Sequence, residues 1–209
     1  MASSPFDAAE FLTLAGSPAY SPFRLAALKD SLNASLSLRD VGTPASPSAR
    51  VTGVRSIHVH YVAAKAPQAL AQLNTPGSHH RSVLEKLLGY GAKSAAVPST
   101  TDDAETAQPL AEALARGKEI AEVEGQLLLY VVPRKGTISP WSSKATSIAV
   151  VCGLADVVQR IERGVLIALQ FDGPYQNPQG PYPFADALHD RMTQVNKPPP
   201  DSPSRPPHR

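Results

Sequence analysis

The sequence holds a single cysteine among 209 residues. No internal disulfide framework can brace the fold, and such sparse use fits a reducing compartment. No apolar run approaches the ~20 residues that a membrane-spanning helix needs. The N-terminus has Asp7 and Glu10 in place of a basic, then apolar, secretory leader. Together these absences predict a cytoplasmic protein without a membrane partner. Charge of one sign is also lacking. Twenty Lys and Arg stand against 18 Asp and Glu, for a formal charge of +2. The basic residues are scattered, whereas nucleic-acid binding calls for a concentrated basic face, so no nucleic-acid partner is expected. There is no glycine-rich phosphate loop and no carboxylate pair spaced for Mg²⁺.

What is present is length, aliphatic residues and proline. The chain is long enough for one α/β-type domain with a substantial core. Its 21 prolines gather in loops and at the ends. Glu10 to Ala15 reads as a first strand, left through the turn Gly16-Ser-Pro18. Ser21 then caps a helix that has Pro22 at its first position and a buried stripe of Leu25, Leu28, Leu32 and Leu36. Residues 40–50 read as a mobile loop. Val54 to Val62 reads as a second strand, with Ile57, Val59 and Tyr61 on one face and Ser56, His58 and His60 on the other. His58 and His60, with His79-His80, are the metal candidates. Without a cysteine or a spaced carboxylate to complete a site, a structural or surface role is expected.

Ser78 caps the next helix, whose apolar face is Val83, Leu84, Leu87 and Leu88 and which ends at Gly89 or Gly91. Residues 92–125 read as an insertion. Gln126 to Val132 is a third strand, Val157 to Phe171 a long fourth one, and Pro174 to Pro183 a proline-rich loop. Phe184 to Thr193 is a final helix. Strands and helices in this order predict an α+β fold, a ferredoxin-like sandwich of antiparallel strands with helices on one face. Residues 1–194 form the domain, and 195–209 a disordered proline-rich tail.

The stretch from Pro133 to Gly153 joins the third strand to a helix. Pro133 removes a ladder donor and ends the strand. Gly136 permits positive φ or close backbone approach. Ser139 caps the helix with Pro140 first, or Ser142 or Ser143 caps a slightly later start. Either way, free N–H groups near Arg134, Lys135 and Lys144 suit a phosphate or carboxylate. The plainer reading is a well-capped turn with Trp141, the only tryptophan, as a packing anchor. Ile148, Val151 and Cys152 share a helical face that Gly153 closes, and Cys152 reads as a small buried apolar residue.

The run Pro133-Arg-Lys-Gly-Thr-Ile-Ser-Pro-Trp-Ser-Ser-Lys-Ala-Thr-Ser-Ile-Ala149, then Cys152-Gly-Leu154 and Arg160-Ile-Glu-Arg-Gly164, resembles the N-terminal region of phosphoribosylformylglycinamidine synthase. Gly16 to Arg24, Leu84 to Gly91 and Leu188 to Thr193 match in the same order, so the resemblance covers about residues 9–194. Ser147 stands where that family usually has Asp. The family is the large glutamine amidotransferase and ligase of purine biosynthesis. It converts formylglycinamide ribonucleotide to the amidine with ATP and glutamine.

The resemblance implies a region like the small separate subunit of some synthases, fused to the rest. It implies synthetase and glutaminase domains as partners, with ATP and Mg²⁺ used there, and no cofactor or catalytic residue in this chain. It also implies a truncated product, inactive alone. A free-standing small-subunit-like protein that binds a synthetase in trans and a product without function are the other readings. The contact set implied for the other domains or the substrate phosphate is Arg134, Thr137, Ser139, Trp141, Ser142, Ser143 and Lys144, with Arg160, Glu162 and Arg163 as a second polar cluster. On a strand, Arg160 and Glu162 share one face and Arg163 takes the other. A solvated or cross-strand-paired surface is the plain alternative for that cluster. Nothing near His189 in sequence orients it as a base.

Overall fold

A computed structural model describes residues 11–37, 50–90, 125–134, 136–173, 184–190 and 192–197. The strands are β1 (Phe11–Pro18), β2 (Val51–Ala64), β3 (Gln126–Pro133), β4 (Val158–Phe171) and β5 (Gln194–Lys197). The helices are α1 (Pro22–Ser37), α2 (Pro67–Asn74), α3 (His79–Leu88), α4 (Pro140–Ala149) and a single turn, α5 (Ala185–Leu188). All strand pairs are antiparallel, in the order β1-β2-β4-β3-β5. The fold is the ferredoxin-like α+β sandwich expected from the element order.

β2 and β4 form the spine, at 14 residues each. Their register sets the two faces. Val165, Ile167 and Leu169 pack with Leu32 of α1, and Val62 and Ile161 pack with Leu73, Leu84 and Ala149 of α2, α3 and α4. These helices therefore share one face. Ile57, Val59, Leu128, Leu166 and Ala168 form a separate buried cluster on the other face, joined by Tyr61 and Tyr130. Apolar burial on both faces explains why Val165 to Leu169 reads as an unbroken aliphatic run rather than an alternation.

Local signals placed most helices. The Ser78 hydroxyl accepts the Arg81 N–H at 3.2 Å, and Ser139 accepts the Ser142 N–H at 3.0 Å. In the α1 stripe only Leu32 is fully buried, while Leu25, Leu28 and Leu36 are half-buried. Helix α2 went unassigned in the sequence, though Pro67 occupies its first turn and Ala69 and Leu73 lie one turn apart on its buried face.

Three expectations are corrected. The final helix is only the turn α5. Beyond it Asp190 takes over as acceptor, with its carboxylate bonded by the Met192 N–H and the Thr193 hydroxyl, each at 2.9 Å, and its carbonyl by the Gln194 N–H at 2.8 Å. The chain then enters β5. Val195, Asn196 and Lys197, assigned to the tail, pair with β3. Cys152 is exposed, not buried. After α4 the chain widens into a turn over Val150–Leu154, where Gly153 takes φ +83°. That widening rotates Ile148, Val150 and Val151 outward and leaves Ala149 and Leu154 in the core. The proposed 40–49 loop, the 92–124 insertion, the 174–183 loop and the tail from 198 lie outside the described residues.

Candidate functional site

The strand-to-helix joint and the Arg160–Gly164 segment meet, because β3 stops short. It pairs with β4 only as far as Val131 and Val165, so Arg160 to Arg163 have no β3 neighbour. Helix α4 covers that open edge with side chains. Thr146 Oγ1 accepts the Ile161 N–H at 3.0 Å, and the Ser142 hydroxyl donates to the Ile161 carbonyl at 2.6 Å. Two hydroxyls thus stand in for a missing strand, meeting the demand of buried backbone groups for partners. Gly164 allows the close approach at the end of β3. A Cβ there would stand 2.8 Å from the Val131 carbonyl oxygen.

A charged knot lies beside this edge. The Ser139 hydroxyl, already the cap of α4, donates to Glu162 Oε1 at 2.7 Å. Arg160 Nη2 meets Glu162 Oε2 at 2.5 Å, and Arg160 Nε donates to Ser142 Oγ at 3.0 Å. Glu162 is 4% exposed and Ser142 1%. Arg160 and Glu162 do share one face of β4, with Arg163 on the other.

An aromatic cluster occupies the helix-covered side. The Trp141 ring stacks on buried His60 with centroids 5.7 Å apart, and the Arg163 guanidinium lies 4.7 Å above the same ring. Arg163 Nη1 donates to the Tyr90 hydroxyl at 3.2 Å, and that hydroxyl also bonds His60 Nε2 at 2.8 Å. Among the described residues, the buried Nδ1 atom of His60 has no hydrogen-bond partner. Both imidazoles are held down to about 4. Burial is the main cause for each. Arg163 adds to it for His58, and His58 and Arg163 add to it for His60. They are therefore neutral near pH 7. Among the described residues, no group of three or more His, Cys, Asp or Glu side chains is placed to hold a metal.

Outside the cluster opens a cleft of about 880 Å³, between α1, the joint, β4 and the α5–β5 turn. Thr137, Ser139, Trp141 and Arg163 of the expected contact set line it, joined by Tyr20, Arg24, His58 and His189. Ser142, Arg160 and Glu162 lie behind it, bonded to one another. Arg134, Ser143 and Lys144 are exposed and lie outside its lining. The expected free N–H groups at the start of α4 are largely taken. Pro140 has none, Ser142 donates to the cap hydroxyl and Ser143 to the Ser139 carbonyl at 3.2 Å. Ser147 bonds the Ser143 carbonyl one turn back, at 2.9 Å.

Sequence reasoning missed Tyr20, Arg24, Tyr90 and Thr146 as parts of this site. All but Thr146 lie far from the joint in sequence and reach it only through the sheet. Tyr20, Arg24 and Tyr90 did lie inside the flanking stretches that resemble the synthase.

Fold and site together define a ferredoxin-like α+β domain with a cationic, aromatic cleft beside a helix-covered sheet edge. A family model described as formylglycinamide ribonucleotide amidotransferase N-terminal matches residues 57–203, more than half of the chain. This chain belongs to that family. Phosphoribosylformylglycinamidine synthase of Saccharomyces cerevisiae is 39% identical to it over 134 residues, which are 64% of this chain and 9% of the yeast protein. The chain thus spans a small part of that relative's length. Among the described residues no helix is long and apolar enough to cross a membrane.

Proposed function

We propose that the chain acts as an N-terminal docking domain of a cytoplasmic phosphoribosylformylglycinamidine synthase. It packs against the synthetase and glutaminase parts of that enzyme and helps to enclose the synthetase site and the path of ammonia. The observation that carries this reading is the division of labour within the joint. Ser142, Arg160 and Glu162 are turned inward and hold the joint to the sheet. Trp141, Arg163 and Thr137 face a cleft, and Arg134, Ser143 and Lys144 face outward. A rigid frame that presents cations and an aromatic ring suits recognition of a neighbouring protein surface. The ATP, Mg²⁺ and glutamine chemistry belongs, on this reading, to the remainder of the enzyme. The chain itself orients and seals.

The test uses the yeast relative made without the N-terminal segment that this chain matches. Mixed with the 209-residue chain, it is expected to form a complex on size-exclusion chromatography. Glutamine-dependent turnover of formylglycinamide ribonucleotide should rise on mixing. Two species that elute independently, with no gain in turnover, would sink the proposal.

A further inference from the structure

We propose that the cleft between α1 and the strand-to-helix joint is the seat of a polypeptide segment bearing a carboxylate next to apolar side chains, supplied by the synthetase part of the enzyme. This rests on the docking reading and names the surface and the chemistry it uses. Two arginines face the cleft. The Arg163 guanidinium lies 4.7 Å from the centre of the Trp141 ring, and that of Arg24 4.5 Å from the centre of the Tyr20 ring. Among the described residues neither guanidinium meets a carboxylate, and both residues line the opening. Asp190, the acid in the lining, is engaged by its own turn through Met192 and Thr193. Arg163 gives Nη1 to the Tyr90 hydroxyl, whereas among the described residues the exposed Arg24 guanidinium keeps its N–H edge available to take a carboxylate with two parallel bonds.

The lining distinguishes a polypeptide from a phosphate. Ile138 lines the cleft and is 65% exposed. Leu28, Val165 and Leu188 add apolar surface to the same lining. Apolar side chains in a cationic cleft offer nothing to a phosphate, but they complete the mixed surface that buries a peptide's aliphatic groups. A volume of about 880 Å³ also accommodates several side chains. The chain spans 9% of its yeast relative, so such an enzyme has ample polypeptide beyond this domain to supply the segment.

Trp141 is the only tryptophan in the chain, so 5-fluorotryptophan labelling gives one ¹⁹F signal at the cleft. Addition of the yeast polypeptide lacking its N-terminal segment is expected to shift that signal. Arg24→Glu and Ile138→Asp, both at exposed side chains, are each expected to weaken binding by roughly tenfold or more while leaving the melting temperature unchanged. Lys86→Glu, on exposed α3 surface, should bind as the unaltered chain does. Unweakened binding by the two cleft variants overturns the cleft as the seat and leaves the docking reading standing. Absence of binding by the unaltered chain overturns both. A ¹⁹F shift produced by inorganic phosphate alone, which then blocks the polypeptide, overturns the choice of a polypeptide segment.

Discussion

The Ser139 hydroxyl donates to Glu162 across 2.7 Å of space and 23 positions of sequence, while its oxygen accepts the Ser142 N–H as the cap of α4. One side chain thus begins a helix and ties it to the strand that the helix covers. The carboxylate it meets is buried and shared with Arg160, so the joint is held by a charged contact with little water around it.

Removing that carboxylate takes from the partly buried Arg160 guanidinium the charge it meets on β4. Glu162→Ala is expected to destabilise the domain by about 3 kcal/mol, the usual result when one member of a buried pair is lost. Glu162→Gln keeps an acceptor for Ser139 and should cost less. Urea denaturation of the two variants against the parent measures this, and equal midpoints for all three would contradict it.

Thr146 supplies what β3 would supply if it ran further. Thr146→Val keeps the shape but leaves the Ile161 N–H without its acceptor. An expected loss of about 1–3 kcal/mol follows from a buried donor left unsatisfied. Hydrogen exchange at Ile161 should accelerate more than at Leu166, in the part of β4 that pairs with β3. Unaltered exchange at Ile161 would show that the hydroxyl is dispensable.

His60 makes stability depend on pH. Its folded value is about 4 against an ordinary 6.5, chiefly through burial, with His58 and Arg163 adding to the effect. As pH falls, the unfolded chain takes up the proton first, so acid favours unfolding. Stability from this group is complete above about 6.5, declines as pH drops toward 4, and changes no further below that. The full decline for this buried ring is on the order of 3 kcal/mol. His58 acts in the same direction. His60→Phe should flatten the profile between pH 6.5 and pH 4, read from denaturation midpoints at intervals across that range. The same slope in the variant would assign the acid sensitivity to other groups.

Gly164 is expected to tolerate no side chain. Gly164→Ala brings a Cβ within 2.8 Å of a carbonyl oxygen and 3.1 Å of the Tyr61 ring, and neither can move without opening the sheet. A cost of about 1–3 kcal/mol is anticipated, as for overpacked cores, visible as a lower melting temperature. An unchanged melting temperature would mean that β3 yields freely at this end.

Much of the fold is written locally. Ser-Pro at 139–140, the alternation through β2 and the aliphatic run of β4 each reflect a preference that a few neighbouring residues can express, and each stands in the structure as expected. The candidate contact residues were read as two segments, the joint and Arg160 to Arg163. Their assembly was not legible, because it depends on where β3 ends. Had β3 continued past Pro133, it would have paired with Ile161 and kept α4 from the edge. Ser139 would then cap a helix with no carboxylate to meet.

The same limit accounts for the misplaced residues. Periodicity assigns Ile148, Val151 and Cys152 to one helical face, but it assumes an unbroken helical pitch, and the wider turn ending at Gly153 breaks that pitch and turns the face to solvent. Four residues of β5 carry too weak a pattern to announce a strand, and only the open edge of β3 recruits them. The sequence by itself determined the capped helix starts, the two faces of the central strands and the family. Tertiary structure decided which edge lay open, which polar groups had to fill it and which were left to line the cleft. A strand edge must find partners wherever the chain offers them, and sequence distance does not enter that demand.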